Sequence, residues 1–81
     1  MSAPAVGDRV SFQGFGAPQT GVVEHVTRSR ARVAYSSHDA QERSSRYGTP
    51  LLVMRRWYPL TAFTALYGDV PEVVIFDRVQ P

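Results

Sequence analysis

Apolar and polar positions intermix at short range over residues 6–12, where Val6, Val10 and Phe12 are interspersed with Asp8 and Ser11, a spacing that predicts a strand with one buried face. Gly14-Phe15-Gly16-Ala17-Pro18 then supplies the backbone freedom and restriction of a loop, with Phe15 either capping the core or making an exposed contact. A second strand is expected over residues 21–27, with Val22, Glu24 and Val26 on one face and Val23 and His25 on the other. Its two faces are not cleanly sorted by polarity. After the tight connection Thr27-Arg28-Ser29-Arg30, a third strand over 31–36 sets Ala31, Val33 and Tyr35 against Arg30, Arg32 and Ala34, because successive side chains point to opposite sides.

Residues 37–50 lose periodicity and turn polar, which predicts a long loop ending in Tyr47-Gly48-Thr49-Pro50; loops of this length in small domains are functional or disordered. A fourth strand is expected over 51–58, with Leu51, Val53 and Arg55 on one face and Leu52, Met54 and Arg56 on the other, emerging from the core at its basic end. Pro59 suits the start of a short helical turn near residues 60–67, where Leu60, Phe63, Thr64 and Tyr67 follow helical spacing until Gly68. A last β-prone run over 72–79 reads as an extra C-terminal strand that either closes the sheet or reaches another chain. The elements add up to a mainly β chain, a single small barrel domain over residues 1–81 with its core in 6–66.

At 81 residues the chain buries only about 60% of the surface its unfolded form exposes, so stability is marginal or shared with a partner. It has no cysteine, hence no disulfide and no thiolate metal site. No basic-then-apolar leader and no run of ~20 apolar residues occurs, so a cytoplasmic protein is expected. The net charge of +2 is unevenly spread. Residues 1–27 carry Arg9 against Asp8 and Glu24, a net −1. Residues 28–56 carry seven arginines against Asp39 and Glu42, a net +5, and residues 57–81 carry Arg78 against Asp69, Glu72 and Asp77, a net −2. Every basic residue is arginine, which makes forked contacts to phosphate and stacks on rings as lysine cannot.

Catalytic chemistry finds little footing. His25 and His38 are the only histidines, and a zinc site would need Asp39 or Glu42 to complete it. The serines at 36, 37, 44 and 45 lack a recognisable base and oxyanion site. No enzyme activity, no metal and no cofactor is expected. What stands out is Arg28, Arg30 and Arg32 around one hairpin, Arg43 and Arg46 in the polar stretch, and Arg55 and Arg56 beside Trp57 and Tyr58. Drawn together, these nine residues would make a basic patch edged by rings, which suits nucleic acid because guanidinium groups neutralise phosphates and aromatic faces stack on unpaired bases.

Gly7-Asp8-Arg9-Val10, the Gly21-Val22-Val23 of the second strand and the Trp57-Tyr58-Pro59-Leu60 phrase, in that order, resemble small barrels of the SH3-like kind, KOW- and Tudor-type modules in particular. The resemblance spans roughly residues 6–66 and implies a five-stranded SH3-like barrel that works as a binding module. A more distant architectural similarity is to the type II dihydrofolate reductases, which also open on Gly-Asp-Arg-Val. Their active-site run Val-Gln-Ile-Tyr-Pro falls here on Arg55-Arg56-Trp57-Tyr58-Pro59, so only Tyr58 and Pro59 match.

Two functions of different class follow. One is a nucleic-acid-binding module, for DNA or RNA, acting through the arginine and aromatic patch. The other is a protein-interaction or assembly module, in which Val73-Val74-Ile75-Phe76 adds to a neighbouring sheet, as a homo-oligomer or on an acidic protein surface. Neither involves a membrane. Steep salt dependence marks the first and not the second.

Overall fold

Five antiparallel strands make one sheet: β1 (Arg9–Gln13), β2 (Pro18–Val26), β3 (Arg30–Tyr35), β4 (Met54–Pro59) and β5 (Val73–Asp77). Helix α1 (His38–Tyr47) joins β3 to β4, and a 3-10 turn (Leu60–Phe63) follows β4. This is a computed structural model, and it describes residues 3–14, 17–64 and 70–78. Phe15, Tyr67, Gly68 and the end of the expected last strand lie outside the described residues.

The spatial order is β4-β3-β2-β1-β5. β1, β2 and β3 pair in succession through short connections, β4 pairs with β3 after the longer connection that holds α1, and β5 comes back to pair with β1. The C-terminal strand is therefore the fifth strand of this sheet, not an addition to five. Among the described residues no ladder joins β4 to β5, so both are margins of the sheet.

Alternation sorts the residues as pleating demands. Val10, Phe12, Val23, Ala31, Val33, Tyr58 and Val73 are buried on one face, and Ala62 and Phe63 of the 3-10 turn complete the core. Phe12, Tyr35, Tyr58 and Phe63 meet edge-on or tilted, with centroids 5.1 to 6.4 Å apart. That is the range in which aromatic pairs add to simple area burial. Gly21 sits where β2 and β3 close tightly on this face: a Cβ there would come within 2.7 Å of both the Ala34 carbonyl oxygen and Val33 Cγ1.

Among the described residues one charged side chain, Asp8, is buried. The Asp8 side chain accepts from the Ala5 N–H at 2.8 Å and faces Arg78 Nη2 at 3.3 Å, while Arg78 also donates to the Ala3 carbonyl. The segment before β1 and the residue after β5 are thus tied at one point.

The expected loop over 37–50 is a helix from 38 to 47. Its ends are well made: Ser37 Oγ accepts from the Ala40 N–H at 3.1 Å, and Gly48, at φ 68°, donates its N–H to the Ser44 carbonyl at 3.0 Å. Two i,i+4 ion pairs, Asp39–Arg43 at 3.3 Å and Glu42–Arg46 at 3.1 Å, run along it. It has no buried residue, so it lacks the apolar period that would have announced it. The expected fourth strand is also shorter at its start. The β3–β4 ladder begins at Tyr35–Met54, leaving residues 51–53 without a partner strand, and Leu51, Leu52 and Val53 are exposed. Tyr58, at the opposite end from the one expected, enters the core.

Candidate nucleic-acid interface

The outer face of the sheet owes its chemistry to one extra residue. Val23 pairs with Val33 and His25 with Arg32, so Glu24 is a bulge that lets two successive side chains project outward. This is why polarity does not sort the faces of this strand in the sequence. Glu24 Oε1 lies 2.6 Å from Arg32 Nε and 2.8 Å from Arg55 Nε. Arg32 Nε is buried and forms no aligned hydrogen bond, so its contact with Glu24 is a charge pair, whereas Arg55 donates a good one.

Beside this carboxylate stands Trp57, 39% exposed, directly across from Arg32 in the β3–β4 ladder. The guanidinium carbons of Arg30 and Arg32 lie 5.2 and 5.5 Å from its ring centroid, within cation–π range, and His25 meets it edge-on at 5.9 Å. Arg28 occupies the adjoining turn, which Thr27 fastens: its Oγ1 accepts from the Arg30 N–H at 3.0 Å and its N–H donates to the Arg30 carbonyl at 2.8 Å. Arg28 and Arg30 have no carboxylate partner among the described residues.

The nine residues marked in the sequence therefore fall into three groups. Arg30, Arg32, Arg55 and Trp57 share the outer face, Arg32 and Arg55 both against the carboxylate of Glu24, with Arg28 in the turn beside them. Arg43 and Arg46 are on α1, each already paired with its own acid. Arg56 and Tyr58 are on the opposite face, since each is one step out of phase with Arg55 and Trp57. Tyr58 is 3% exposed, so its ring is a core ring that cannot stack on a base. Burial pushes its phenol pKa above the ordinary 10.0, partly opposed by the positive Arg56, whose guanidinium carbon lies 4.9 Å from the ring centroid. Glu24 and His25 were not marked and also belong to the outer face: alternation from Val23 points Glu24 outward, and the bulge adds His25 beside it and turns Val26 inward.

His38 and Asp39 are near in sequence, but no cluster of three or more metal-ligating side chains occurs among the described residues. No described helix is long and apolar enough to cross a membrane. Neither a protein-family model, nor a curated protein, nor a solved structure matches this chain.

Proposed function

We propose that this protein is a small barrel of the SH3-like, KOW- or Tudor-type kind that binds nucleic acid on the outer face of its sheet, without catalysis or cofactor, in the cytoplasm. The observation that carries the reading is the half-exposed Trp57 set among Arg30 and Arg32, with Arg28 in the next turn. In this reading Arg28 and Arg30 neutralise phosphates, and the indole stacks on an unpaired base, displacing a guanidinium from its face. Arg32 and Arg55 contribute to the extent that phosphate competes with Glu24 for them. Stacking of this kind favours single strands and carries weak sequence preference.

The test uses Trp57 fluorescence while single- and double-stranded oligonucleotides are titrated at low and moderate salt. Saturable quenching that fades with salt is expected, with Arg30→Ala weakening binding about tenfold and lowering the salt slope by about 1. Arg56→Ala, on the other face, is expected to leave binding unchanged. Equal losses from the two substitutions, or no quenching, would refute the assignment.

A second reading, assembly with another protein through the C-terminal strand, is favoured by one observation: β5 is a margin of the sheet, and Phe76 on it is 51% exposed. Against it stands the register shift that leaves Phe76 unmatched between Ile75–Val10 and Asp77–Arg9, since a bulge makes an edge a poorer template for another strand.

A further inference from the structure

Among the described residues, the longest run of exposed apolar side chains follows α1. Tyr47 is 69% exposed at the end of α1, and Leu51, Leu52, Val53 and Met54 are exposed in succession after it. Of these, Leu52 is the one that lines the groove beside α1, with Ala40 and Pro50, while Leu51 and Val53 turn to the β2–β3 side and Met54 to the end of β1. The helix alongside has no buried residue, and an isolated ten-residue helix is marginal in water.

The charges on α1 identify what covers it. At 3.6 residues per turn, Asp39, Glu42, Arg43 and Arg46 fall within an arc of about 100°, one face of the helix. Acids occupy the N-terminal half of this stripe and arginines the C-terminal half, and all four side chains are 64–73% exposed. Two such helices set antiparallel about a two-fold axis between positions 42 and 43 oppose Asp39 to Arg46 and Glu42 to Arg43 of the second copy. The intrahelical pairs then join into one network across the axis. A patch complementary to itself under two-fold rotation is what a symmetric dimer requires. The same operation brings Tyr47 opposite residue 38 of the second copy. There a groove of about 320 Å³, lined by Ala40, Arg43, Pro50 and Leu52 among others, is wide enough for a phenol ring.

We infer that the protein forms a two-fold symmetric dimer with a second copy of itself through antiparallel α1 helices, each Tyr47 seated in the groove between α1 and residues 49–52 of the other chain. The dimer does not rest on the nucleic-acid reading.

The experiment is sedimentation of the full chain from micromolar to millimolar concentration. A reversible dimer is expected for the unaltered chain, and Tyr47→Ala should weaken it at least tenfold. Asp39→Arg/Glu42→Arg and Arg43→Glu/Arg46→Glu should each be monomeric alone, and their equimolar mixture should dimerise. Because charge reversal can melt the helix, far-UV circular dichroism accompanies it, and single cysteines give an independent readout in a chain that has none. Arg43→Cys, near the axis, should form a disulfide-linked dimer on mild oxidation, and Ser45→Cys, on the far side of the helix, should not. A chain monomeric throughout, a dimer indifferent to Tyr47→Ala and to both reversals, or equal cross-linking at 43 and 45 would overturn the inference.

Discussion

Glu24 holds two arginines of the outer face, and its replacement by glutamine separates binding from stability. The substitution keeps the size of the side chain and removes its charge. Two unit charges about 3 Å apart interact by about 1.4 kcal/mol at the dielectric of water and several times that in a protein interior. Here Arg32, Arg55 and Glu24 have side-chain exposures of 37%, 55% and 25%, so solvent screening holds each pair to about 0.2–1 kcal/mol. Losing both pairs should lower stability by about 0.5–2 kcal/mol, roughly 2–16 °C in melting temperature for a domain of this size. The same energy no longer opposes phosphate. Affinity for a single-stranded oligonucleotide should therefore rise about 2- to 30-fold at low salt, at 1.36 kcal/mol per decade. If both released arginines take a phosphate, the slope of log affinity against log salt steepens by about 1.4, at roughly 0.7 per phosphate on a single strand. Fluorescence anisotropy of a labelled oligonucleotide across a salt series, with a thermal melt of each protein, reads both quantities. Unchanged or weaker binding with an unchanged slope would mean that no phosphate reaches Arg32 or Arg55, and the interface drawn around Trp57 would have to be abandoned.

Two further outcomes test the fold beneath that face. Gly21→Ala forces a Cβ to within 2.7 Å of the Ala34 carbonyl oxygen, and overpacking of this kind costs about 1–3 kcal/mol, less the ~0.4–1 kcal/mol returned by a stiffer unfolded chain. Urea unfolding should show a lower midpoint at unchanged slope, and a midpoint as high as the original would remove the close approach from the account. Tyr58 has a raised phenol pKa in the fold, so the folded state holds its proton longer than the unfolded state does. Its contribution is fully present below pH 10.0 and is lost as pH rises through the raised value. Tyr58→Phe should accordingly keep more of its neutral-pH stability in alkali, and parallel losses in the two proteins would contradict the burial argument.

Much of the sheet was legible because its period-two pattern survives wherever one face is buried. Ala31, Val33 and Tyr35 against Arg30, Arg32 and Ala34 sort correctly, and β3 sits within a residue of its expected span. The helix was not legible from periodicity, since a helix with no buried face has no apolar rhythm. Its punctuation was present all the same: Ser37 as cap, Asp39 in the first turn, Arg46 in the last, then Gly48 and Pro50. For the fourth strand, apolar content misled, because residues 51–53 pair with no strand and their side chains stay exposed. Within the candidate site, the neighbourhood of Trp57 with Arg30 and Arg32 needed only strand alternation and the β3–β4 hairpin. The separation of Arg56 and Tyr58 and the outward place of Glu24 follow from the same alternation, whereas His25 reaches Trp57 through a bulge that no local residue preference announces.

That bulge also makes β2 unusually tolerant of losing a residue. With Glu24 deleted, Val22, Val23, His25 and Val26 fall into unbroken alternation, outward and inward by turns, so Val23 and Val26 keep their sides and the ladder to β3 keeps its partners. A one-codon deletion elsewhere in the sheet turns every later side chain of its strand to the wrong face. Here it would remove the acid that holds Arg32 and Arg55 and leave the core in register. The strand carries an indel-permissive position at its most chemically influential point, a place where the charge of the surface can be rewritten by length as well as by substitution.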